Sequence, residues 1–248
     1  MLSDFYASID AILIRHIELV KKLQLLRDLV KESLASTHFQ CACIEAILDN
    51  FSGNVLEDTW QLPDLFYHSQ LDYSVRFIFW PAFYDNQPHQ HKTWSITGVF
   101  NHALNVNVYD KLDDAARLKK TRTIATTKGA AGYLLPGCIH NISNPLPVVS
   151  SSIHIFNHLT KQGKTQENVI RFPVFRQHNM APGSFERTSL ACLEYLKNIK
   201  TPTSYRLILR FYEQPSPLVK WMALKTLSEW KEKKAETCLE PLKLIVES

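Results

Sequence analysis

The segment Tyr73-Ser74-Val75-Arg76-Phe77-Ile78-Phe79-Trp80 marks the point where the chain changes from a helical to a strand pattern. It is rich in aromatic and β-branched residues and ends at Pro81, which is typical of a β-strand. Further short segments of the same kind follow, at residues 94–100, 103–109, 121–127, 131–135 and 150–156. Gly, Pro, Asn and Asp stand in the breaks between them. Six or more short strands separated by turns predict an antiparallel barrel or jelly roll.

Helical patterns flank these strands on both sides. Residues 4–50 carry apolar positions at helical spacing, and no Pro or Gly occurs before Gly53, so two or three helices are expected. From about Ser184 three apolar stripes with helical spacing follow, at residues 190–199, 218–227 and 239–245. Residues 216–227 look like a helix of a HEAT-type repeat, with a plain helical cap as the alternative.

The predicted organisation therefore has three parts. Residues 1–66 form an N-terminal helical layer, residues 67–160 form the β-barrel, and residues 161–248 form a linker and a C-terminal helical region. The linker is placed at residues 162–181.

Composition narrows the class of protein. The net charge of +4 over 248 residues is too small, and the basic residues too scattered, to indicate a nucleic-acid partner. The apolar runs are too short to span a bilayer, and the first residues lack the basic start of a signal peptide. Five cysteines without a paired spacing pattern favour a reducing compartment, which predicts a cytoplasmic location. Cys41 and Cys43 are interpreted as helix residues rather than metal ligands. The oligomeric state is left open.

Two short histidine segments point to a metal site. Pro88-His89-Gln90-His91 places two imidazoles on one side of a strand, because residues two apart share a face. Pro136-Gly137-Cys138-Ile139-His140 delivers a third imidazole after a tight turn, for which Gly129 and Gly137 supply backbone freedom. Three neutral histidines suit a divalent transition metal and leave coordination positions open, as in catalytic sites.

These residues resemble the two motifs of the cupin superfamily. Gly129, Gly137, His140 and Asn144 fit the second motif, and His89-x-His91 fits the first, with Phe83 in place of its leading glycine. Ser95 and Ile96 stand where many cupins place a carboxylate. A set of three histidines without a carboxylate resembles cysteine dioxygenase and related thiol dioxygenases.

The resemblance extends over roughly residues 65–160. The segments Phe79-Trp80-Pro81, Gly98-Val99-Phe100 and Tyr109-Asp110, together with Trp94, are similar to bacterial members of that family. Ser152-Ile153-His154-Ile155-Phe156 resembles the family's Ser-x-His-x-Tyr strand.

The resemblance implies a cupin jelly roll flanked by helices, with a mononuclear Fe(2+) held by His89, His91 and His140. It also implies that a small thiol and O2 react there to give a sulfinate. Ser152 and His154 are then expected to orient ligands or order water at the iron. Arg76, Trp94 and Phe156 are the candidates for contact with substrate. Apart from the resemblance, His102, His158 and His178 are interpreted as structural because no spacing supports another role, and Cys138 is not counted as a site residue because it would point away from the site on extended backbone.

Departures from the family pattern keep the substrate open. Phe156 replaces the family's tyrosine, Ile96 stands near the place of the cross-linking cysteine, and residues 66–71 contain no arginine to hold a substrate carboxylate. Arg76 or Arg122 could substitute, and a thiol other than cysteine is considered. Two alternatives remain. One is a non-catalytic cupin that binds metal or ligand and acts through its helical flanks, and the other is a different metallo-cupin oxidation or isomerisation.

Overall fold

The computed structural model describes residues 2–51, 61–112, 117–158, 169–172 and 185–230. In these segments three helices precede ten strands, and three more helices follow. The helices are α1 (Leu2–Leu13), α2 (Leu19–Ala35), α3 (Thr37–Phe51), α4 (Phe185–Leu196), α5 (Pro202–Tyr212) and α6 (Pro217–Glu229). The strands are β1 (Gln61–His68), β2 (Tyr73–Trp80), β3 (His89–His91), β4 (Ser95–Asn101), β5 (Ala103–Lys111), β6 (Leu118–Thr127), β7 (Ala131–Leu134), β8 (Ile139–Ser143), β9 (Ser150–Asn157) and β10 (Val169–Arg171).

The strands form two antiparallel five-stranded sheets. The first sheet has the order β1-β2-β9-β4-β7 and the second has the order β10-β3-β8-β5-β6. Apart from the pairs β1-β2 and β5-β6, neighbouring strands are not consecutive in sequence, which is the double-sheet arrangement of a jelly roll. The prediction of a cupin-type jelly roll flanked by helices at both ends is therefore confirmed.

The two sheets enclose an apolar cluster. Ile78, Trp80 and Val99 of the first sheet pack with Leu104 and Ile142 of the second. Burial of such side chains contributes about 1.5–3 kcal/mol each. Their alternation along the strands identifies the inner face of each sheet, which is the face that carries the site described below.

The outer face of the first sheet is covered by the first two helices. All but one residue of β2 is buried, because its outward residues pack under helices while its inward ones enter the cluster. Tyr73 on this face donates a hydrogen bond of 2.6 Å to Asp10 of α1. Gly98 of β4 lies against α2, and a Cβ there would come within 2.5 Å of Val30 and 2.7 Å of Leu34. The absence of a side chain at Gly98 allows this close approach.

The sequence patterns missed or misplaced two strands. The first sheet begins at Gln61, within the predicted helical layer of residues 1–66. It is an edge strand with register shifts, and Pro63 is tolerated there although it weakens the strand pattern. Strand β10 lies inside the predicted linker of residues 162–181, and three residues are too few for a visible alternation.

The described residues fall into two compact units. The first lies within 1–36 and 61–181, and the second within 37–60 and 182–248. In the second unit α3 contacts α5, and α4, α5 and α6 contact one another. Thr201 caps α5 by accepting a hydrogen bond from the backbone of Ser204 at 3.1 Å, and Pro202 starts the helix.

The structure can be compared with several predictions made for the helical segments before and after the strands. Cys41 and Cys43 are buried in α3, so their interpretation as helix residues is confirmed. Burial also raises the pKa of both thiols. The predicted stripe at residues 239–245 lies outside the described residues. The resemblance of α6 to a HEAT-type helix stays a prediction. No described helix has the length and hydrophobicity required to span a membrane.

Substituting Gly98 with alanine tests the contact between α2 and the sheet. We expect Gly98→Ala to lower the free energy of unfolding by about 1–3 kcal/mol, because the new methyl group overlaps Val30 and Leu34. Gly132→Ala on the neighbouring strand is the matched control, since nothing lies within 4 Å of a Cβ there. Urea denaturation measures both, and equal effects of the two variants would contradict the close approach.

Candidate metal centre

Three histidines converge on the inner face of the second sheet. His89 and His91 lie on β3, and His89 is the direct antiparallel partner of His140 on β8. The ring centroids are 4.4 Å apart for His89 and His140, 5.0 Å for His89 and His91, and 5.3 Å for His91 and His140. One nitrogen from each ring lies within 4.8 Å of the others. The predicted triad is therefore assembled by the fold.

Backbone carbonyl groups fix the ring orientation of two of these histidines. His89 Nδ1 lies 2.9 Å from the carbonyl oxygen of Gln87, and His140 Nδ1 lies 3.1 Å from that of Cys138. A carbonyl oxygen only accepts, so each Nδ1 carries the proton and each Nε2 keeps its lone pair. Hydrogen bonds of this kind orient metal-binding imidazoles and make them more basic as ligands.

The surroundings keep the three rings uncharged. Burial, followed by the proximity of His89 and His154, lowers the pKa of His91 to about 3. Burial, followed by the proximity of His89, lowers the pKa of His140 to about 3. Burial also lowers the pKa of His89. Neutral imidazole is the form that binds metal, so no proton has to be removed at neutral pH.

The donor set fits a divalent transition metal. Nitrogen ligands sit about 2.0–2.1 Å from such an ion, and the mutual distances of the three ring nitrogens, within 4.8 Å, allow the rings to approach one ion. The group found among the described residues contains no carboxylate. His91 is only half-buried, unlike His89 and His140. Solvent therefore reaches the site from the side of His91.

Glycine turns set the position of the second histidine strand. Gly137 has φ of 81° and donates a backbone hydrogen bond of 2.9 Å to the carbonyl oxygen of His91. This bond ties the start of β8 to the end of β3. Gly129 also has a positive φ, of 84°. Both glycines therefore serve the tight turns that the sequence predicts.

The backbone at Phe83, where the first histidine motif lacks its glycine, has a positive φ like that of Gly129 and Gly137. Phe83, which stands there, has φ of 56° and a largely exposed side chain. The left-handed backbone conformation is kept although the residue is not glycine. A bulky residue in that region is strained, and surrounding contacts have to hold it. The backbone nitrogen of Phe83 donates to the carbonyl oxygen of Leu146 at 3.0 Å.

Asn144 secures the segment that follows β8. Its side-chain nitrogen lies 2.7–2.9 Å from the carbonyl oxygens of Trp80, Pro81 and Val148. Its side-chain oxygen accepts a hydrogen bond of 3.0 Å from the backbone of Leu146. The motif asparagine therefore acts on the backbone around the site and is not a candidate ligand.

A hydrogen-bonded chain lies beside the triad on the first sheet. Trp80 donates to the hydroxyl oxygen of Ser152 at 2.7 Å, and that oxygen lies 2.7 Å from His154 Nε2. His154 Nδ1 lies 3.1 Å from the hydroxyl oxygen of Thr97. A neutral imidazole donates from one nitrogen and accepts at the other, so His154 links the two hydroxyls. The sequence did not single out Thr97.

Phe156 contacts both this hydrogen-bonded chain of side chains and the triad. Phe156 stacks on His154 at 5.2 Å with an interplanar angle of 4°, and its ring centroid lies 5.6 Å from that of His91. It supplies an apolar wall without a hydroxyl. Trp94 is buried, and among the described residues no ring contact joins it to the triad. Its role in substrate contact stays a prediction.

The arginines near the site differ in their partners. Arg76 lies 2.8–2.9 Å from Asp64 through two of its nitrogens, so its charge is already compensated, and its predicted contact with substrate stays a prediction. Arg122 pairs across the strands with Val108, which in turn pairs with His140. Arg171 of β10 is the direct partner of His89. It escaped the sequence interpretation because it lies within the predicted linker.

The remaining histidines and Cys138 lie outside the triad. His158 Nε2 is 3.0 Å from the hydroxyl of buried Ser74, which fits its predicted structural role. His102 has φ of 62° in the turn between β4 and β5. His178 lies outside the described residues. Cys138 contributes its carbonyl oxygen to His140, and its thiol is not part of the three-histidine group.

Comparison with known proteins gives only distant structural likeness. No family model and no curated protein matches the sequence. A chain from the crystal structures of two DMSP lyases is 10% identical with a TM-score of 0.28, over 35% of this chain and 39% of its own length. Oxalate oxidase in complex with the substrate analogue glycolate is 15% identical with a TM-score of 0.32, over 63% of this chain and 64% of its own length. A cupin-2 domain protein from Shewanella frigidimarina is 14% identical with a TM-score of 0.30, over 41% of this chain and 83% of its own length.

This chain spans less than two thirds of the DMSP lyase chain and of oxalate oxidase. Likeness at this level carries no inference about activity. The assignment of the fold rests on the strand order and register, and the candidate site rests on its own geometry.

The burial of His154 predicts a pH dependence of stability. Burial, followed by the proximity of Arg76, lowers the pKa of His154 to about 3, from about 6.5 in the unfolded chain. Between these values the unfolded state binds a proton that the folded state does not. The free energy of unfolding therefore falls as the pH falls through this window, by about 2 kcal/mol between pH 7 and pH 5 for this group.

Urea denaturation of the metal-free protein at pH 7 and pH 5 measures this dependence. His154→Gln keeps a polar group at the position but does not titrate, so we expect its loss of stability between the two pH values to be smaller by that amount. If the variant lost as much stability between pH 7 and pH 5 as the wild type, His154 would not contribute to the pH dependence.

Proposed function

We propose that this protein is an iron(II)-dependent dioxygenase of the thiol dioxygenase type, which adds both atoms of O2 to the sulfur of a small thiol to give a sulfinate. The observation that carries the proposal is the carboxylate-free set of His89, His91 and His140 on one face of the sheet, open on one side. The sequence resemblance of residues 65–160 to thiol dioxygenases supports the choice of reaction.

The proposed reaction balances without a further reductant. A thiol and one O2 give one sulfinic acid, so the sulfur loses four electrons and the two oxygen atoms gain them. A ferrous ion, when bound, supplies the redox chemistry and favours the deprotonated thiol. The three histidines would supply neutral nitrogen ligands to that ion and leave room for two reactants next to each other at it, which contributes proximity.

The residues around the triad have supporting roles in this proposal. Ser152 and His154 form a buried hydrogen-bonded pair of 2.7 Å, which can hold a proton or an ordered water near the reacting atoms. Phe156 contacts both His154 and His91 and gives this side of the site an apolar surface. Because Phe156 lacks a hydroxyl, it cannot contact a bound ligand as a tyrosine would.

Removal of one histidine tests the metal site. Loss of a residue that hydrogen-bonds to a metal ligand weakens metal affinity by about 10–100-fold. We expect His140→Ala, which removes a ligand itself, to weaken metal affinity more than this and to abolish O2 uptake. His158→Gln is the matched control, because His158 is also buried but bonds to Ser74. Metal content by mass spectrometry and O2 uptake by electrode measure the outcome. Full metal content in His140→Ala would exclude the triad as the site.

The product separates the proposed reaction from the alternatives. With ferrous ion and a panel of small thiols, we expect O2 uptake that matches a mass gain of two oxygen atoms on sulfur. Another mass change would favour a different metallo-cupin oxidation. Metal binding without O2 uptake for any thiol would favour a non-catalytic role, for which the missing hydroxyl at Phe156 is the supporting observation. Both outcomes contradict the proposal.

A further inference from the structure

The connection between the first two helices exposes four aliphatic side chains in close succession. Helix α1 ends at Leu13 and α2 begins at Leu19, and every residue from 14 to 21 is exposed to solvent. The aliphatic residues among them have exposed fractions of 39–63% and are Ile14, Ile17, Leu19 and Val20. An exposed apolar cluster surrounded by polar residues is typical of a surface that binds a partner or a membrane.

The packing of the two helices does not use these four side chains. The buried residues that come before and after them in sequence are Ile9 and Ile12 of α1 and Leu23 and Leu26 of α2. These buried residues supply the apolar face with which each helix joins the core. The aliphatic residues of the connection stay in water, which costs free energy unless a further surface covers them.

Hydrogen bonds hold the connection in a defined shape. The backbone nitrogen of Ile17 donates to the carbonyl oxygen of Arg15 at 3.0 Å. Lys22 Nζ donates to the carbonyl oxygen of Leu13 at 2.6 Å, which ties the first turn of α2 to the end of α1. The exposed side chains are therefore presented by a folded segment, so a binding partner does not have to order it first.

Cationic side chains surround the exposed aliphatic residues. One depression in the surface is lined by Arg15, His16, Ile17, Glu18, Lys21 and Lys22. Residues 14–22 thus contain three lysine or arginine side chains against one carboxylate. Among the residues that the structure describes, none of these three forms an ion pair. Their charge is available to an anionic partner.

An anionic membrane surface uses both properties of residues 14–22. Lysine and arginine are attracted to anionic headgroups, and aliphatic side chains enter the boundary between headgroups and acyl chains. A small free anion would contact the cations and leave the aliphatic residues in water. A second copy of the same face would place like charges opposite each other, which is unfavourable.

We propose that residues 14–22 bind the surface of a membrane that contains anionic lipid, with their aliphatic side chains among the headgroups. This is attachment to one face of a bilayer, and it needs no helix that spans it. Helix α2 contacts β4 and β7 of the first sheet, whereas the three histidines lie on β3 and β8 of the second. The inference therefore does not depend on the proposed function and can be measured without metal or turnover.

Sedimentation of the full chain with vesicles tests the inference. Vesicles of phosphatidylcholine alone are compared with vesicles that also contain phosphatidylserine, at about 0.1 M salt. We expect binding to the anionic vesicles only, because a few aliphatic side chains anchor a protein weakly without attraction between charges. Absence of binding to the anionic vesicles, or equal binding to both kinds, would overturn the inference.

A double variant measures the contribution of charge. Arg15→Gln with Lys21→Gln is expected to weaken binding to the anionic vesicles by about tenfold or more, since each cation near such a surface contributes about fivefold. Lys119→Gln with Lys120→Gln on β6 is the matched control, because it also removes two exposed cations. We expect the control to change binding by less than about twofold, since salt screens distant charges. Equal losses in the two double variants would contradict a specific surface.

A single variant measures the apolar contribution. Ile14 is 63% exposed, and we expect Ile14→Ser to weaken binding to the anionic vesicles by about fivefold or more, because less apolar surface leaves water. Leu112→Ser is the matched control, since Leu112 is 59% exposed and directly follows β5. Unchanged urea denaturation of the variants would show that they remain folded. Binding by Ile14→Ser as strong as that of the wild type would contradict insertion.

Two other kinds of ligand would give different results. If millimolar inorganic phosphate releases the protein from the vesicles and Ile14→Ser binds like the wild type, residues 14–22 form a site for a free anion. If the protein binds a glutamate-rich peptide through Arg15 and Lys21 but does not bind anionic vesicles, the partner is an acidic protein. Each of these outcomes contradicts binding to a membrane surface.

Discussion

The antiparallel pairing of β3 with β8 is the constraint on which the candidate site depends. This register places His89 directly opposite His140, and His91 follows on the same face. A slip of one residue would turn every side chain of one strand to the opposite face and separate the three rings. The hydrogen bond from Gly137 to the carbonyl oxygen of His91 and the contacts of Asn144 with the backbone hold this register from both ends of β8.

The same pairing determines the electrostatic character of the site. The histidines face the interior, as do the residues of the apolar cluster that includes Trp80 and Ile142. Burial therefore disfavours their protonated forms. Their bonds to backbone carbonyls fix which nitrogen remains free. Neutral, oriented donors beside an apolar cluster prepare the site for a cation without any carboxylate.

Local sequence patterns predicted much of the architecture. The strand 73–80, rich in aromatic and β-branched residues, coincides with β2, and the segments at 131–135 and 150–156 agree with β7 and β9 within one residue. The irregular edge strand β1 and the three-residue strand β10 were not found, because neither has enough regular alternation to stand out from a loop. Strand β1 pairs with β2, the next strand in sequence, whereas β10 pairs with β3, which lies far earlier in the chain. Arg171 was missed for this reason.

By itself, the sequence determined the chemical type of the site and the kind of scaffold that carries it. Spacing by two residues on a strand and a glycine turn before a third histidine are local features that mark these residues as candidate ligands, and the pairing of β3 with β8 brings them together. Only the tertiary structure decided which charges surround that set. Arg76 precedes the histidines in sequence yet is compensated by Asp64, whereas Arg171, 80 or more residues after His89 and His91, lies beside them. Such proximity follows from the order and register of strands, which long-range backbone pairing sets and no local pattern contains.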